Sequence, residues 1–158
     1  MALRNIVKTG DEVLLKPCRP VEKFDAKLGA LLDDMAETMN AANGVGLAAP
    51  QVGILRRVVT IDVGEGLIEL INPVITKMSG KQEGQEGCLS FPGEWGIVER
   101  PMKVTVRAFD RHGDEFEMTG EGLLARAFCH EIDHLNGIVF TTRASHMLTP
   151  EELEQMNG

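Results

Sequence analysis

Five consecutive residues carry the densest chemistry in the chain: His130-Glu131-Ile132-Asp133-His134. Residues four apart on an α-helix share a face, with Cβ atoms about 5–6 Å apart, so two imidazoles at this spacing can meet one metal ion. Glu131 is rotated away from that pair but can reach an open coordination position, where it can take a proton from water and later return it. The competing explanation is a chance pattern on a solvated helix face. A third ligand separates the two.

Downstream candidates are poor. Zinc peptidases that extend this pattern place a glycine three residues after the second histidine and a further histidine three beyond that. Gly137 fits, but position 140 is Phe140. His146 lies beyond a predicted strand, and Glu151 and Glu152 belong to a predicted helix start. Upstream, Glu86-Gly87-Cys88-Leu89-Ser90 offers a thiol between glycine-rich turns. A cysteine with two histidines gives three protein ligands and leaves a fourth position for water, which is the catalytic arrangement. On residue type alone Cys88 reads either as that ligand or as an inert buried thiol.

The elements that must position these groups follow from periodicity. Leu28, Leu31, Leu32, Met35 and Met39 recur at steps of three and four between Asp25 and Asn43, predicting an amphipathic helix capped by Asp25, with Val21 and Phe24 packed at its start. After the glycine-rich stretch 44–53 come β-favouring runs at 58–63 and at 68–75, the second broken by Asn72-Pro73. Segments 103–109 and 115–119 flank Asp110-Arg111-His112-Gly113-Asp114, a hairpin. A second helix runs from about Glu121 to Leu135 and stops at Asn136-Gly137, with a strand predicted over 138–142. Thr149, Pro150 and Glu152 mark the capping box of a short terminal helix. This order predicts an α+β fold: antiparallel sheets around a central metal-binding helix, with an N-terminal helix and a short C-terminal helix. No repeat or long linker interrupts it, so residues 1–158 read as a single domain.

Composition narrows the class. With 158 residues, 43% of them hydrophobic and 25% charged, the chain suits a soluble globular domain rather than a disordered or membrane protein. No apolar run is long enough to cross a bilayer or to act as a signal peptide, which points to the cytoplasm. Cys18, Cys88 and Cys129 are odd in number and far apart, arguing for reduced thiols over disulfides. A net charge of −8 argues against direct nucleic-acid binding through a broad basic surface.

Three segments in series, Gly44-Val45-Gly46-Leu47-Ala48-Ala49-Pro50-Gln51, Glu86-Gly87-Cys88-Leu89-Ser90 and His130-Glu131-Ile132-Asp133-His134, make the chain resemble peptide deformylases nearly from end to end. The resemblance implies a metal-dependent hydrolase that removes the formyl group from the N-terminal formyl-methionine of nascent polypeptides and releases formate. It implies Cys88, His130 and His134 as metal ligands. The family's ion is Fe(II), with zinc, nickel or cobalt as substitutes, although the ligand types alone would suit zinc equally.

By the same carry-over, Glu131 activates water and protonates the leaving amine, while the Gln51 side-chain amide and the Leu89 backbone N–H stabilise the oxyanion. Gly44 and Gly46 allow close backbone approach, so that an extended peptide can pair with that edge as an added strand. Val45, Trp95, Leu123 and Ala127 are expected to line the methionine pocket, with Arg126 contributing its aliphatic stem at most. Asp133 and Glu86 are expected to orient the ligands, through Arg100. His112 and His146 match no motif and read as solvated.

Two departures from the family pattern stand out. Cys129 replaces the glutamine that many members carry before the first metal histidine; one step around the helix, it is expected to face the core, a second thiol near the metal. The C-terminus is short and acidic rather than a long basic helix, so any ribosome contact would be transient or use another surface. The competing functions are a zinc metallopeptidase, disfavoured by Phe140, and a non-catalytic metal-stabilised binding module, which would predict an altered Glu131 or Gln51. Both of those residues are intact.

Overall fold

The computed structural model describes residues 2–157. In chain order its main elements are α1 (Ala26–Ala41), β1 (Gly46–Ala48), β2 (Val58–Ile61), β3 (Ile68–Ser79), β4 (Gln82–Cys88), β5 (Phe91–Arg100), β6 (Lys103–Phe109), β7 (Glu115–Glu121), α2 (Leu123–Leu135), β8 (His146–Met147) and α3 (Pro150–Asn157). The apolar stripe expected of α1 is its buried face, with Leu32, Met35 and Met39 fully enclosed. Each such side chain contributes about 1.5–3 kcal/mol on burial. Asp25 caps the helix, its carboxylate accepting the Leu28 N–H at 3.1 Å.

Five strands pair in the antiparallel order β1-β2-β3-β6-β7, and three in the order β4-β5-β8. In the larger sheet successive side chains point to opposite faces. Leu47, Val58 and Ile71 pack with the α1 residues, whereas Ala48, Val59 and Leu70 pack with Ala125, Phe128, Ile132 and Leu135 of α2. Helices therefore cover both faces, which explains why β2 is buried along its whole length. The expected break at Asn72-Pro73 is a bulge: register slips between Ile71 and Val74, Asn72 adopts φ 52°, and its side-chain amide pairs with both backbone groups of Val21.

Two expectations need correction. Helix α2 starts at Leu123 rather than Glu121, because Glu121 still pairs with Lys103 across the β6–β7 ladder. The strand expected over 138–142 does not form. The Ile138 N–H turns back to the Asp133 carbonyl at 2.9 Å, and Phe140–Thr142 make one 3₁₀ turn. Burial of the Phe140 ring edge-on against Phe91, with centroids 5.4 Å apart, outweighs the β propensity of Ile138-Val139. The terminal capping box is present: Glu152 donates its N–H to Thr149 Oγ1 at 3.2 Å, and the Thr149 N–H returns to Glu152 Oε1 at 3.1 Å.

The exit from α2 depends on Gly137, at φ 75°, where a Cβ would lie 2.6 Å from the Leu15 carbonyl oxygen. Gly137→Ala adds that clash to about 1–2 kcal/mol of left-handed backbone strain. An expected loss of at least about 2 kcal/mol corresponds to a Tm lowered by about 4–8 °C in thermal unfolding at equal metal content. Among the described residues no helix is long and apolar enough to cross a membrane.

Candidate active site

Helix α2 presents His130 and His134 on one face, ring centroids 4.9 Å apart. Cys88, expected between turns, instead ends strand β4, where the β4–β5 register slips between Gly87 and Cys88. Such a bulge re-aims a side chain. Cys88 Sγ lies 3.3 Å from His134 Nε2, and the ligand atoms of Cys88, His130 and His134 lie within 4.8 Å of one another. Burial, and then the electrostatic influence of His130, hold His134 well below the usual histidine range, which favours the neutral form that binding a metal would need.

His130 is oriented from behind. Its Nδ1 is 2.7 Å from Glu86 Oε2, and an ionised carboxylate can only accept, so Nδ1 carries a proton and Nε2 is the nitrogen that a neutral ring would offer to a metal. Glu86 is 4% exposed and holds four donors: His130 Nδ1, Arg100 Nε at 3.1 Å, Arg100 Nη2 at 2.6 Å and Arg126 Nη1 at 2.9 Å. Burial alone would raise the Glu86 carboxyl, but hydrogen bonds from His130 and Arg100 hold it well below the usual carboxylate range. Arg100 also reaches Asp133 at 2.8 Å, and Arg143 closes on Asp133 with Nε at 2.7 Å and Nη2 at 3.0 Å. The expected role of Arg126 is thereby corrected, since its buried guanidinium as well as its stem is used.

Glu131 is 4% exposed, and its Oε1 is buried without a hydrogen-bond partner. Burial pushes its carboxyl up to about 7, against the pull of His130 and with the added push of Glu86. A carboxyl near neutrality can both take and return a proton. A Cβ on Gly46 would run into Glu131 Oε2, so the glycine makes room for the carboxylate as well as leaving a β1 backbone edge open. Gly46→Ala is expected to displace that carboxylate and lower kcat by about 100-fold, the scale of a 1 Å misplacement. Steady-state kinetics on the metal-loaded variant checks it.

Gln51 is buried, with Oε1 accepting the Ala48 N–H at 2.9 Å and Nε2 reaching Ser90 Oγ at 3.1 Å and Cys88 Sγ at 3.4 Å. A cavity of about 660 Å³ connects these groups, and Gly44, Val45, Gly46, Leu89, Trp95, Leu123 and Ala127 all line it. Val45, Trp95 and Leu123 stand half-exposed at its rim. Cys129 faces the core, and burial raises its thiol above the ordinary value. His112 is exposed, while His146 is paired with Glu152 at 2.9 Å. Sequence reading missed Ser90, Arg143 and the head of Arg126. Only Ser90 carried a signal, its place in the motif beside Leu89.

A thiol and two imidazole nitrogens, with a buried carboxylate oxygen left unpartnered beside them, form a donor set that fits a divalent metal ion. The sequence model of the polypeptide deformylase family matches residues 3–149. The chain belongs to that family. Its members are metal-dependent hydrolases that remove the N-formyl group from the methionine of nascent polypeptides, and this chain is such an enzyme.

Peptide deformylase of Caldicellulosiruptor bescii is 58% identical over 98% of the chain and 93% of that protein. That of Thermoanaerobacter pseudethanolicus is 56% identical over 99% and 98%. Among solved structures, peptide deformylase from Thermotoga maritima aligns with a TM-score of 0.89 at 43% identity, covering 90% of this chain and 98% of that one. The Synechococcus elongatus enzyme, solved in complex with actinonin, aligns with a TM-score of 0.87 at 40% identity, covering 96% and 82%.

Proposed function

We propose that deformylation takes place in the cavity between β1, β4 and α2, with residues 1–158 acting as one catalytic domain. The carrying observation is the convergence of Cys88, His130 and His134 beside a cavity that Cys88, His130, Glu131 and Gln51 line. In this reading the three side chains hold the metal, which when bound supplies Lewis-acid polarisation and makes water a nucleophile near neutral pH. We assign Fe(II), with Zn(II), Ni(II) or Co(II) as substitutes, on the family resemblance.

Glu131 takes a proton from the attacking water as its oxygen bonds to the formyl carbon. The carbonyl oxygen gains negative charge, which the Gln51 amide and the Leu89 N–H receive. Glu131 then delivers its proton to the amine nitrogen, the C–N bond breaks, and formate and a free N-terminal methionine result. Glu86, with Arg100 and Asp133, holds His130 in the tautomer that leaves Nε2 free.

The peptide runs extended along the open edge of β1 at Gly44, Val45 and Gly46, pairing as an added strand. The methionine side chain lies against Leu123 and Ala127, with Val45 and Trp95 at the rim. Actinonin is accordingly expected to compete with substrate. The enzyme works on nascent chains in the cytoplasm, and any contact with the ribosome is transient or uses a surface other than the acidic segment 149–158. The deciding experiment is formate release from formyl-Met-Ala-Ser by protein purified anaerobically with iron. Absence of formate with both iron and nickel would overturn the proposal.

A further inference from the structure

An oxyanion site works only when its donors are held within a fraction of an ångström of the productive geometry. Gln51 and Leu89 come from segments far apart in sequence, and the residue that joins them is Ser90. It is fully buried, and its hydroxyl accepts one of the two Nε2 protons of Gln51 at 3.1 Å. The other end of the amide is fixed by the Ala48 N–H, which can bond only to an oxygen, so Oε1 and Nε2 are unambiguous. With one Nε2 proton on Ser90, the second is directed to the Cys88 side, where it donates to Sγ at 3.4 Å.

The backbones of both residues are tied to the same N-terminal segment. The Val7 N–H donates to the Gln51 carbonyl at 2.7 Å, and the Thr9 N–H donates to the Ser90 carbonyl at 2.8 Å. The N–H groups of residues 7 and 9 are thus both turned toward this pair of segments. Between them Lys8 lines the cavity and reaches the Leu89 carbonyl at 3.3 Å, a longer and exposed bond that adds little. On its far side the Leu89 side chain packs on Gly44, where a Cβ would approach within 2.6 Å of it. Segment 7–9 is thus a strap across the 3₁₀ turn that carries Gln51 and the β4–β5 turn that carries Leu89.

We infer that Ser90, held together with Gln51 by the strap from Val7 to Thr9, is a positioning residue that aims the Gln51 amide at the developing oxyanion. The inference rests on the assignment of Gln51 as an oxyanion donor. A double-mutant cycle in the full-length, metal-loaded enzyme tests the two separately. Gln51→Ala is expected to lower kcat about 10²–10³-fold, the cost of one oxyanion donor. If it leaves kcat unchanged, the assignment of Gln51 itself fails.

Given that loss, Ser90→Ala is expected to lower kcat about tenfold, because a misaimed amide still donates part of its hydrogen bond. KM and metal retention against a chelator are expected to stay the same. Added to Gln51→Ala, Ser90→Ala is expected to cost nothing further. A Ser90→Ala loss of equal size in both backgrounds overturns the inference, since the hydroxyl would then act through something other than Gln51. Thr9→Pro removes the strap's N–H to Ser90 and is expected to follow the same pattern; equal losses in both backgrounds would remove the strap from the proposal. The Gln51 side-chain amide protons give a readout free of turnover. Their two NMR signals, separated by unequal hydrogen bonding, are expected to converge in Ser90→Ala, and unchanged signals overturn the inference even if Thr9→Pro fails to fold.

Discussion

Glu131→Ala is expected to keep its metal and lose turnover by about 10²–10⁴-fold, the range for removal of a positioned acid–base group. The reason lies in what surrounds the carboxyl. It is buried beside Gly46, raised toward neutrality by that burial, and its Oε1 has no protein partner to satisfy. The metal donors proposed above are Cys88, His130 and His134, and the contacts that place them do not involve Glu131. Glu131→Gln sharpens the test, since it keeps the shape and hydrogen-bonding capacity but cannot shuttle a proton. Elemental analysis and formate release on both variants would separate the roles. Loss of metal in both would make Glu131 a structural residue, and normal turnover in the glutamine variant would sink its acid–base role.

The second large effect is expected at Glu86. Glu86→Ala removes the acceptor for four hydrogen bonds at once and leaves the buried guanidinium groups of Arg100 and Arg126 short of a counter-charge. Arg100 keeps Asp133, and Arg126 keeps the Val98 carbonyl at 3.1 Å, so the loss is partial for each. Breaking a buried pair from one side costs about 3–5 kcal/mol. Against a total stability of about 5–15 kcal/mol, that is a large fraction. The melting temperature is expected to fall on the order of 10 °C. His130 also loses the carboxylate that fixes its tautomer, and a lost partner of this kind weakens metal binding about 10–100-fold. Thermal unfolding and chelator competition measure the two effects independently. Unchanged metal affinity in a folded Glu86→Ala variant would show that His130 needs no orienting partner.

How Glu86 and Glu131 came to differ bears on what could be read in advance. Both are buried carboxyls near His130, yet one is held well below the usual range and the other is raised. Sequence spacing put both in motifs but could not tell them apart. The difference is the hydrogen bonds that His130 and Arg100 give Glu86, delivered by α2 and β5, against the lack of a partner on Glu131 Oε1. Arg126 shows the same gap. Its helical position beside the cavity was readable, whereas the ion pair of its head with a β4 residue was not.

Local signals carried the α1 stripe, the Asp25 cap, the 103–119 hairpin and the Thr149 capping box, because each depends on residues a few positions apart whose geometry the backbone period dictates. The spacing of His130 and His134 belongs to this class: four residues on a helix put two imidazoles on one face wherever the helix sits. What the sequence could not determine from its own periodicity was the meeting of that pair with Cys88, Gln51, Ser90 and Gly46. Those come from strands and loops whose places are set by sheet order, by the β4 bulge and by burial of apolar faces on both sides of one sheet. The failed strand at 138–142 has the same origin, for a buried Phe140 ring overrode a local preference worth only a fraction of its burial energy. Periodicity fixes which side chains share a face; only long-range packing decides which faces meet.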